Sequence, residues 1–140
     1  MSKVLIVDDE EDIQKILKKN FEGEGIEVVS ALSGEEGVTK YKELFERKEG
    51  PSLVVMDLNL AKGDMEDIEP HMNGWDEKMD GVRTTREILK INPNAIIWGY
   101  TAWSGTRWAE KLKETGAQKV IDRMVPFKKF VIMVAKFLRK

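Results

Sequence analysis

The sequence predicts an α/β domain in which a doubly wound parallel sheet is covered by helices on both faces. Two observations predict it. Short apolar runs rich in Val and Ile recur along the chain, and they have the length and composition of buried strands. Each run is followed by a longer stretch with apolar residues at helical spacing, so strands and helices alternate five times. The 140 residues suit a single domain with a single core.

The five predicted strands are short apolar segments bounded by polar or glycine-containing turns. The first is "KVLIV", and the third, "SLVVM", is uniformly apolar after its first residue. Uniform apolar character is typical of strands that are buried on both faces. The predicted strands are 3–7, 26–29, 52–56, 94–101 and 118–125.

The five predicted helices are recognised by their apolar spacing and by the residues at their ends. Ile13 and Leu17 fall on one face of the first helix. Ser33 is a typical N-cap for the second helix, Gly116 closes the fourth and Pro126 opens the last. The predicted helices are 12–21, 33–48, 80–91, 105–116 and 126–140.

Composition excludes several classes of function. Lys and Arg total 23 against 25 Asp and Glu, and this balance argues against direct nucleic-acid binding, which needs a basic excess. The absence of cysteine excludes disulfides and thiolate metal sites, and the single histidine, His71, cannot build a multi-histidine site. No apolar run resembles a signal peptide or a membrane span, which predicts a cytoplasmic protein without membrane insertion.

Polar residues with compatible chemistry stand at the ends of four predicted strands. They are Asp8 and Asp9 after the first, Asp57 after the third, Thr101 at the fourth, and Asp122 and Arg123 at the fifth, and the small Ala102 follows Thr101. In a doubly wound sheet, ligands bind at the edge where the carboxyl ends of the strands meet. Carboxylates gathered there repel one another unless a hard divalent cation such as Mg²⁺ neutralises them.

The same side chains could bind and accept a phosphoryl group. Asp57 is a candidate nucleophile that would become an aspartyl phosphate, while Thr101 and Arg123 could hold phosphoryl oxygens. Each residue taken singly also fits a structural role, because Asp is common in turns and Asp9 or Asp12 could cap the first helix. The conjunction of four strand ends favours the chemical interpretation.

These segments resemble, in order, the receiver domain of two-component response regulators. The resemblance covers essentially the whole chain and rests on "VLIVDDEEDIQ", "LVVMDLNL", "MDG", "YTA" and "GAQKVIDR…PF". It implies the flavodoxin-like (βα)5 fold with strand order 2-1-3-4-5. It also implies a single receiver domain over residues 1–140, with an inserted loop at about 61–78.

The resemblance implies roles for the acidic residues. Asp57 is the expected phosphoacceptor, and the donor is expected to be a phosphohistidine on a sensor histidine kinase or a His phosphotransfer protein. Asp9 is expected to bind Mg²⁺ (or Mn²⁺) directly, together with Asp57, and Asp8 is expected to act mainly through water. The backbone carbonyl of Asn59 is the remaining expected protein ligand.

The resemblance also implies which residues surround the phosphoryl group. Thr101 is expected to bind one of its oxygens, and the small Ala102 would let the group approach the backbone. The side chains at Asn59 and Trp103 would flank it. The Trp103 indole could screen the acyl phosphate from water, or it could simply cover the adjacent helix.

The cation of the site departs from the family pattern. The family's Lys, which is followed by Pro, is expected seven residues after Gly116, where Arg123 stands and Met124 follows. Arg123 keeps the positive charge but is longer and planar. Lys128 or Lys129, at the start of the last helix, is the alternative, and Arg123 is favoured.

Two further departures concern aromatic residues and the peptide bond before Pro. The aromatic residue that the family uses in its activation switch is replaced by Val120. Tyr100 or Trp98 could take a related role, although both also fit ordinary packing. A cis peptide comparable to the family's could form only at Val125–Pro126. The inserted loop at 61–78 is expected to be a docking surface, a lid over the acidic pocket or a tolerated surface segment.

Two other functions stay open on the sequence. A pseudo-receiver, meaning an interaction module that is not phosphorylated, is suggested by Arg123 and Val120. A metal-dependent phosphatase with an Asp nucleophile usually needs a second Asp two residues later as general acid, but Asn59 stands there. The favoured prediction is a phosphoacceptor signalling domain rather than an enzyme. It would act on a separate protein partner, or the chain could be a receiver excised from a longer protein. The sequence does not decide its oligomeric state.

Overall fold

The computed structural model describes residues 2–57, 81–102 and 107–139. The strands are β1 Lys3–Val7, β2 Glu27–Ala31, β3 Leu53–Met56, β4 Ile97–Thr101 and β5 Lys119–Asp122. The helices are α1 Glu11–Gly23, α2 Gly34–Glu46, α3 Gly81–Ile91, α4 Arg107–Thr115 and α5 Phe127–Leu138. Within these ranges, no helix has the length and apolar character needed to cross a membrane.

The five strands of the described residues form one parallel sheet in the order β2-β1-β3-β4-β5. This order confirms the predicted flavodoxin-like (βα)5 fold. Val7 of β1 pairs with Met56 of β3, and Thr101 of β4 pairs with Asp122 of β5. Because the strands are parallel, the residues that follow these pairs meet at one edge of the sheet.

The core consists of two apolar layers, one on each face of the sheet. Val4 and Ile6 of β1 lie in the layer under α1 and α5. Leu5 and Val7 lie in the layer under α2, α3 and α4. The alternation follows from the period of two of a strand. Since both faces are covered, β3 and the residues of β1 from Val4 onwards must be apolar, which is the pattern that predicted them.

Two strands, β4 and β5, are shorter than predicted by three residues or more. β4 begins at Ile97 rather than at 94, because the carbonyl and side chain of Asn92 both accept hydrogen bonds in the preceding turn. β5 ends at Asp122 rather than at 125. There the Asp122 side chain accepts the Met124 N–H at 2.7 Å, and its carbonyl accepts the Val125 N–H at 3.0 Å. These bonds turn the chain away from the sheet.

The N-cap residue was predicted correctly for α2 but not for α1. Ser33 caps α2 as predicted, since its side chain accepts a backbone N–H from the first turn. α1 begins at Glu11, and Glu10 occupies the N-cap position without a side-chain capping bond. The alternative that Asp9 or Asp12 caps this helix is therefore wrong.

Candidate functional site

Three carboxylates gather at the carboxyl edge of the sheet. Asp8 follows β1 and Asp57 follows β3, and these strands are neighbours. The Asp57 N–H extends their pairing by donating to the Val7 carbonyl at 2.9 Å. One carboxylate oxygen from each of Asp8, Asp9 and Asp57 lies within 4.8 Å of the other two. The sheet therefore brings together the acidic residues that were predicted to converge.

Asp8 is the most buried of the three, with 2% of its surface exposed. Its Oδ1 atom accepts the Glu10 N–H at 2.9 Å, and its Oδ2 atom accepts a hydrogen bond from Arg123 Nη2 at 3.1 Å. Burial raises the pKa of Asp8, while the bonds from Glu10 and Arg123 oppose the shift and the Asp9 charge adds to it. The charged form of Asp8 is thus stabilised first by the Glu10 backbone N–H and then by the Arg123 guanidinium.

The donor set fits Mg²⁺. This ion takes oxygen ligands in an octahedron, in which adjacent oxygens are about 3 Å apart and opposite oxygens about 4.2 Å apart. Carboxylate oxygens within 4.8 Å of one another need only a small movement to reach those spacings. Asp9 and Asp57 are partly exposed, so water could reach the ion.

Arg123 supplies the positive charge beside these carboxylates. Its Nη2 atom lies 3.1 Å from Asp8 Oδ2 and 3.7 Å from Asp57 Oδ1. The backbone explains this position, because the Arg123 N–H donates to the Thr101 carbonyl at 3.0 Å directly beyond β5. The Arg123 side chain is largely buried, with 18% exposed, so solvent screens these pairs less than it screens a surface ion pair.

The two alternative lysines lie on α5. Lys128 lines a groove between α1 and α5 together with Lys19 and Glu24, close to the end of α1 that is distant from the site. Lys129 is exposed on the surface of α5. Within the described ranges, neither lysine forms an ion pair. Of the three predicted candidates, Arg123 is the one that contacts Asp57.

Thr101 and Ala102 occupy the neighbouring strand end. Thr101 is completely buried at the end of β4, and Ala102 follows it as an exposed turn residue. β4 lies between β3 and β5, so Thr101 stands between the strand of Asp57 and that of Arg123. Asn59, Trp103 and the insertion at 61–78, for which roles were predicted, lie outside the described residues.

Trp98 and Tyr100 are buried in the layer under α5. The Trp98 indole donates to Gln118 at 2.8 Å, and the Tyr100 hydroxyl donates to the Val125 carbonyl. Burial raises the pKa of Tyr100, so its hydroxyl stays protonated and can donate. Val120 lies on the other face of the sheet, against the opposite core layer. The aromatic pair and Val120 are therefore separated by the sheet.

Gln14 is a residue of the site region that the sequence did not reveal. It lies on α1 and is 6% exposed. Its Nε2 atom is 3.0 Å from the Ile6 carbonyl, 3.1 Å from the Asp8 carbonyl and 2.8 Å from the Ala31 carbonyl. These bonds hold the ends of β1 and β2 to the helix and fix the main chain at Asp8. The sequence signal that could have revealed Gln14 is its position one turn before Leu17, where a polar residue stands on the apolar side of the helix.

The turn between β5 and α5 leaves one side chain in solvent. Met124 has 89% of its surface exposed, while Asp122 holds its backbone N–H at 2.7 Å. The exposed side chain therefore projects from a fixed main chain. All peptide bonds in the described ranges are trans, including the Val125–Pro126 bond that follows.

Comparison with known proteins identifies what the chain resembles. The response regulator receiver domain family matches residues 4–69, which include β1 to β3. CheY, a chemotaxis protein of Thermotoga maritima, is 38% identical over 96 residues, covering 68% of this chain and 62% of that protein. PhoP, the alkaline phosphatase synthesis transcriptional regulatory protein of Bacillus subtilis, is 42% identical over 62 residues, covering 44% of this chain and 24% of that protein. The matches thus span less than two thirds of either relative.

A solved structure shares the fold over nearly the whole chain. It is the crystal structure of the CheX–CheY–BeF3–Mg²⁺ complex from Borrelia burgdorferi, which contains a chain similar to this one with a TM-score of 0.77. Sequence identity is 25%, and the superposition covers 99% of this chain and 90% of that chain. The likeness extends past the segment matched by the family, through β4, β5 and α5.

Proposed function

Because the chain belongs to the response regulator receiver domain family, we propose that it accepts a phosphoryl group on Asp57 and signals by a change of conformation. The observation that carries this proposal is the group formed by Asp8, Asp9 and Asp57 beside Arg123. Like charges in a partly buried group are costly. Their placement beside a cation, at the ligand-binding edge of the sheet, favours a phosphoryl site over a structural role.

The proposed reaction is a phosphoryl transfer from a phosphohistidine. A carboxylate oxygen of Asp57 attacks the phosphorus, and the new P–O bond forms as the P–N bond breaks. The electron pair of the broken bond stays with the donor imidazole, which takes up a proton. The product on this chain is an aspartyl phosphate.

The ion and the cation would counter the charge of the phosphoryl group. Mg²⁺ or Mn²⁺, when bound, would neutralise the carboxylates and the phosphoryl oxygens. Asp9, Asp57 and the Asn59 carbonyl are the proposed direct ligands, and Asp8 is proposed to act through water. Arg123 would contact a phosphoryl oxygen from the position in which it now contacts Asp57.

The same proposal gives roles to the residues that would surround the phosphoryl group. The Thr101 hydroxyl would donate to a phosphoryl oxygen, and its complete burial limits the directions it can take. Ala102 would let the group approach the backbone. Asn59 and Trp103 would flank it, with the Trp103 indole limiting the access of water.

The proposed partners follow from the family. A sensor histidine kinase or a His phosphotransfer protein would supply the phosphoryl group, and a separate protein would receive the signal. The near balance of 23 basic and 25 acidic residues supports a protein partner rather than nucleic acid. We propose that the protein acts in the cytoplasm. We also propose that it is a single receiver domain with an inserted loop at 61–78, and that it signals rather than turning over a separate substrate.

Intact-mass measurement tests the proposal. The chain is incubated with a small acyl phosphate and Mg²⁺ beside two variants, Asp57→Asn and Asp12→Asn. Asp12 is an exposed acidic residue in the first turn of α1, so its variant loses the same charge near the site. We expect one added phosphoryl group on the parent and on Asp12→Asn, and none on Asp57→Asn.

The same experiment separates the other two functions. If the parent gains no phosphoryl group, the chain is a pseudo-receiver and the proposal is wrong. If the parent hydrolyses assorted phosphomonoesters over many turnovers, it is a phosphatase. An equal gain on the parent and on Asp57→Asn would show that another residue is the acceptor.

A further inference from the structure

Tyr100 contacts Arg123 in two ways. The guanidinium carbon of Arg123 lies 4.6 Å from the centre of the Tyr100 ring, over its face. Arg123 Nη2 also donates a hydrogen bond to the Tyr100 carbonyl. The same nitrogen also faces Asp8 and Asp57. Tyr100 therefore contacts the guanidinium both through its carbonyl and through the face of its ring.

The Tyr100 ring is itself held in place. It is completely buried and stacks on Phe130 of α5, with 3.9 Å between the ring centres and 3° between their planes. The Phe127 ring meets the Tyr100 ring edge-on, with 6.0 Å between the ring centres. The Tyr100 hydroxyl donates a hydrogen bond to the Val125 carbonyl. These contacts on the face, the edge and the hydroxyl of Tyr100 fix the orientation of its ring. They come from the first turn of α5 and from the residue just before Pro126.

A guanidinium gains from such a support in a way that an ammonium does not. It is planar and weakly hydrated, and it stacks on aromatic faces. Its three nitrogens must also be aimed, because a rotation about the long side chain moves the charge away from the carboxylates. Arg123 Nε is buried and has no hydrogen-bond acceptor within the described ranges, so it does not fix the orientation. The guanidinium is therefore oriented by the ring and carbonyl of Tyr100, together with the hydrogen bond from Nη2 to Asp8 Oδ2.

We infer that Tyr100 is a positioning residue, which holds the Arg123 guanidinium against Asp57 so that an arginine can serve phosphoryl transfer. This inference rests on the proposed function of Asp57. It explains why a long planar side chain keeps one direction at a site where the family has a lysine. The role is distinct from core packing, because it acts through one neighbour.

The chain offers a matched control. Trp98 lies on the same strand and the same face as Tyr100, is 1% exposed, and also packs against Phe130, at 6.4 Å. The cation over its ring is Lys119, at 4.9 Å, rather than Arg123. Trp98→Leu therefore removes an equally buried aromatic ring from the same layer without touching the site.

Two measurements are made on the parent, Tyr100→Phe, Tyr100→Met and Trp98→Leu. The first is the Nε–H resonance of Arg123 in ¹⁵N-edited NMR spectra of the unphosphorylated proteins. We expect it to be shifted upfield by the ring in the parent, in Tyr100→Phe and in Trp98→Leu. Tyr100→Met, which keeps most of the volume but has no ring, should return it towards the value of a solvated arginine.

The second measurement is the rate of phosphoryl uptake from a small acyl phosphate at saturating Mg²⁺. Tyr100→Met should lower the maximal rate about tenfold and leave the donor concentration for half-maximal rate unchanged. Tyr100→Phe and Trp98→Leu should stay within about twofold of the parent. In an Arg123→Gln background, Tyr100→Met should have no further effect, because a positioning residue acts only through its neighbour.

The outcomes separate this inference from the function on which it rests. If the parent accepts phosphoryl groups but Tyr100→Met does so at the parental rate, or Trp98→Leu is slowed equally, the positioning role is overturned and the function stands. A parental Nε–H resonance without a ring shift overturns the role even if Tyr100→Met does not fold. If the parent accepts no phosphoryl group, the proposed function fails, and any role of Tyr100 in the transfer fails with it.

Discussion

The acidic half of the site, at the ends of β1 and β3, is built differently from the cationic half, at the ends of β4 and β5. In the acidic half the side chains are short and follow directly after buried strands, so strand pairing alone brings Asp8 and Asp57 together. In the cationic half Arg123 reaches the carboxylates with a long side chain, supported by Tyr100 from the adjacent strand. Short side chains take their position from the sheet, whereas a long one needs a packing partner.

The largest effect is expected in the acidic half. Asp9→Asn removes the charge of the proposed direct ligand and should weaken Mg²⁺ binding at least about 10²-fold. Calorimetric titration of the unphosphorylated protein measures it. Glu10→Gln loses the same charge from the next, exposed residue and should change the affinity less than about threefold. Equal losses in both variants would mean that general electrostatics, rather than ligation, sets the affinity.

In the cationic half, one substitution should move two properties in opposite directions. Arg123→Gln removes the positive charge that competes for Asp8 and Asp57, so Mg²⁺ should bind about tenfold more tightly. The rate of phosphoryl uptake should fall about 30-fold, because the developing charge loses a contact. Lys128→Gln and Lys129→Gln should change neither property, and a larger loss of rate in either would assign the cation to α5 instead.

A smaller effect is expected where α1 supports the acidic half. Gln14→Met removes hydrogen bonds to the carbonyls at the ends of β1 and β2, and it should lower the free energy of unfolding by about 2 kcal/mol. Urea denaturation measures this loss. Asn20→Met, on the same helix, breaks only a local bond to Ile16 and should cost less than about 0.5 kcal/mol. A Gln14→Met protein as stable as the parent would contradict the supporting role.

The smallest effect contrasts Asp8 with Glu36, a carboxylate that accepts the Leu32 N–H and pairs with Lys40 of its own helix. The Leu32 N–H, and then Lys40, lower the pKa of Glu36. Its folded state thus favours the charged form, which contributes stability above the ordinary pKa of 4.5 and loses it as pH falls through the lowered value. Glu36→Gln should cost about 0.3 kcal/mol at pH 7, since the pair is substantially exposed, and nothing at pH 2. Denaturation at both pH values tests this, with exposed Glu35→Gln as the control; a loss that persists at pH 2 would contradict it.

The parts of the fold that were predictable have a local cause. The meeting of Asp8, Asp9 and Asp57 follows from apolar runs that end directly on a carboxylate, a pattern visible within a few residues. The strand order was expected from the resemblance to the receiver family. The extent of β5 was overestimated because "QKVIDRMV" is apolar enough to continue. The strand ends because the Asp122 side chain competes for the backbone N–H of Met124, and composition alone does not reveal that competition.

What could not be predicted depends on distant packing. The sequence favoured Arg123 over Lys128 and Lys129, but the contacts of these long side chains depend on packing, and α5 turns Lys128 towards the groove with α1. Gln14 was missed because one polar residue among apolar ones has no periodic signal. Its importance appears only when β1, β2 and α1 meet and leave carbonyls that need a donor.

The exposure of Met124 has a practical consequence. Its side chain is 89% exposed on a main chain that Asp122 holds, and the whole chain contains no cysteine. A cysteine introduced as Met124→Cys would therefore be a unique attachment point for a thiol-reactive fluorophore, next in sequence to Arg123 and outside the core. The fluorescence of such a dye would report changes at the site in real time. No other thiol would need to be blocked before labelling.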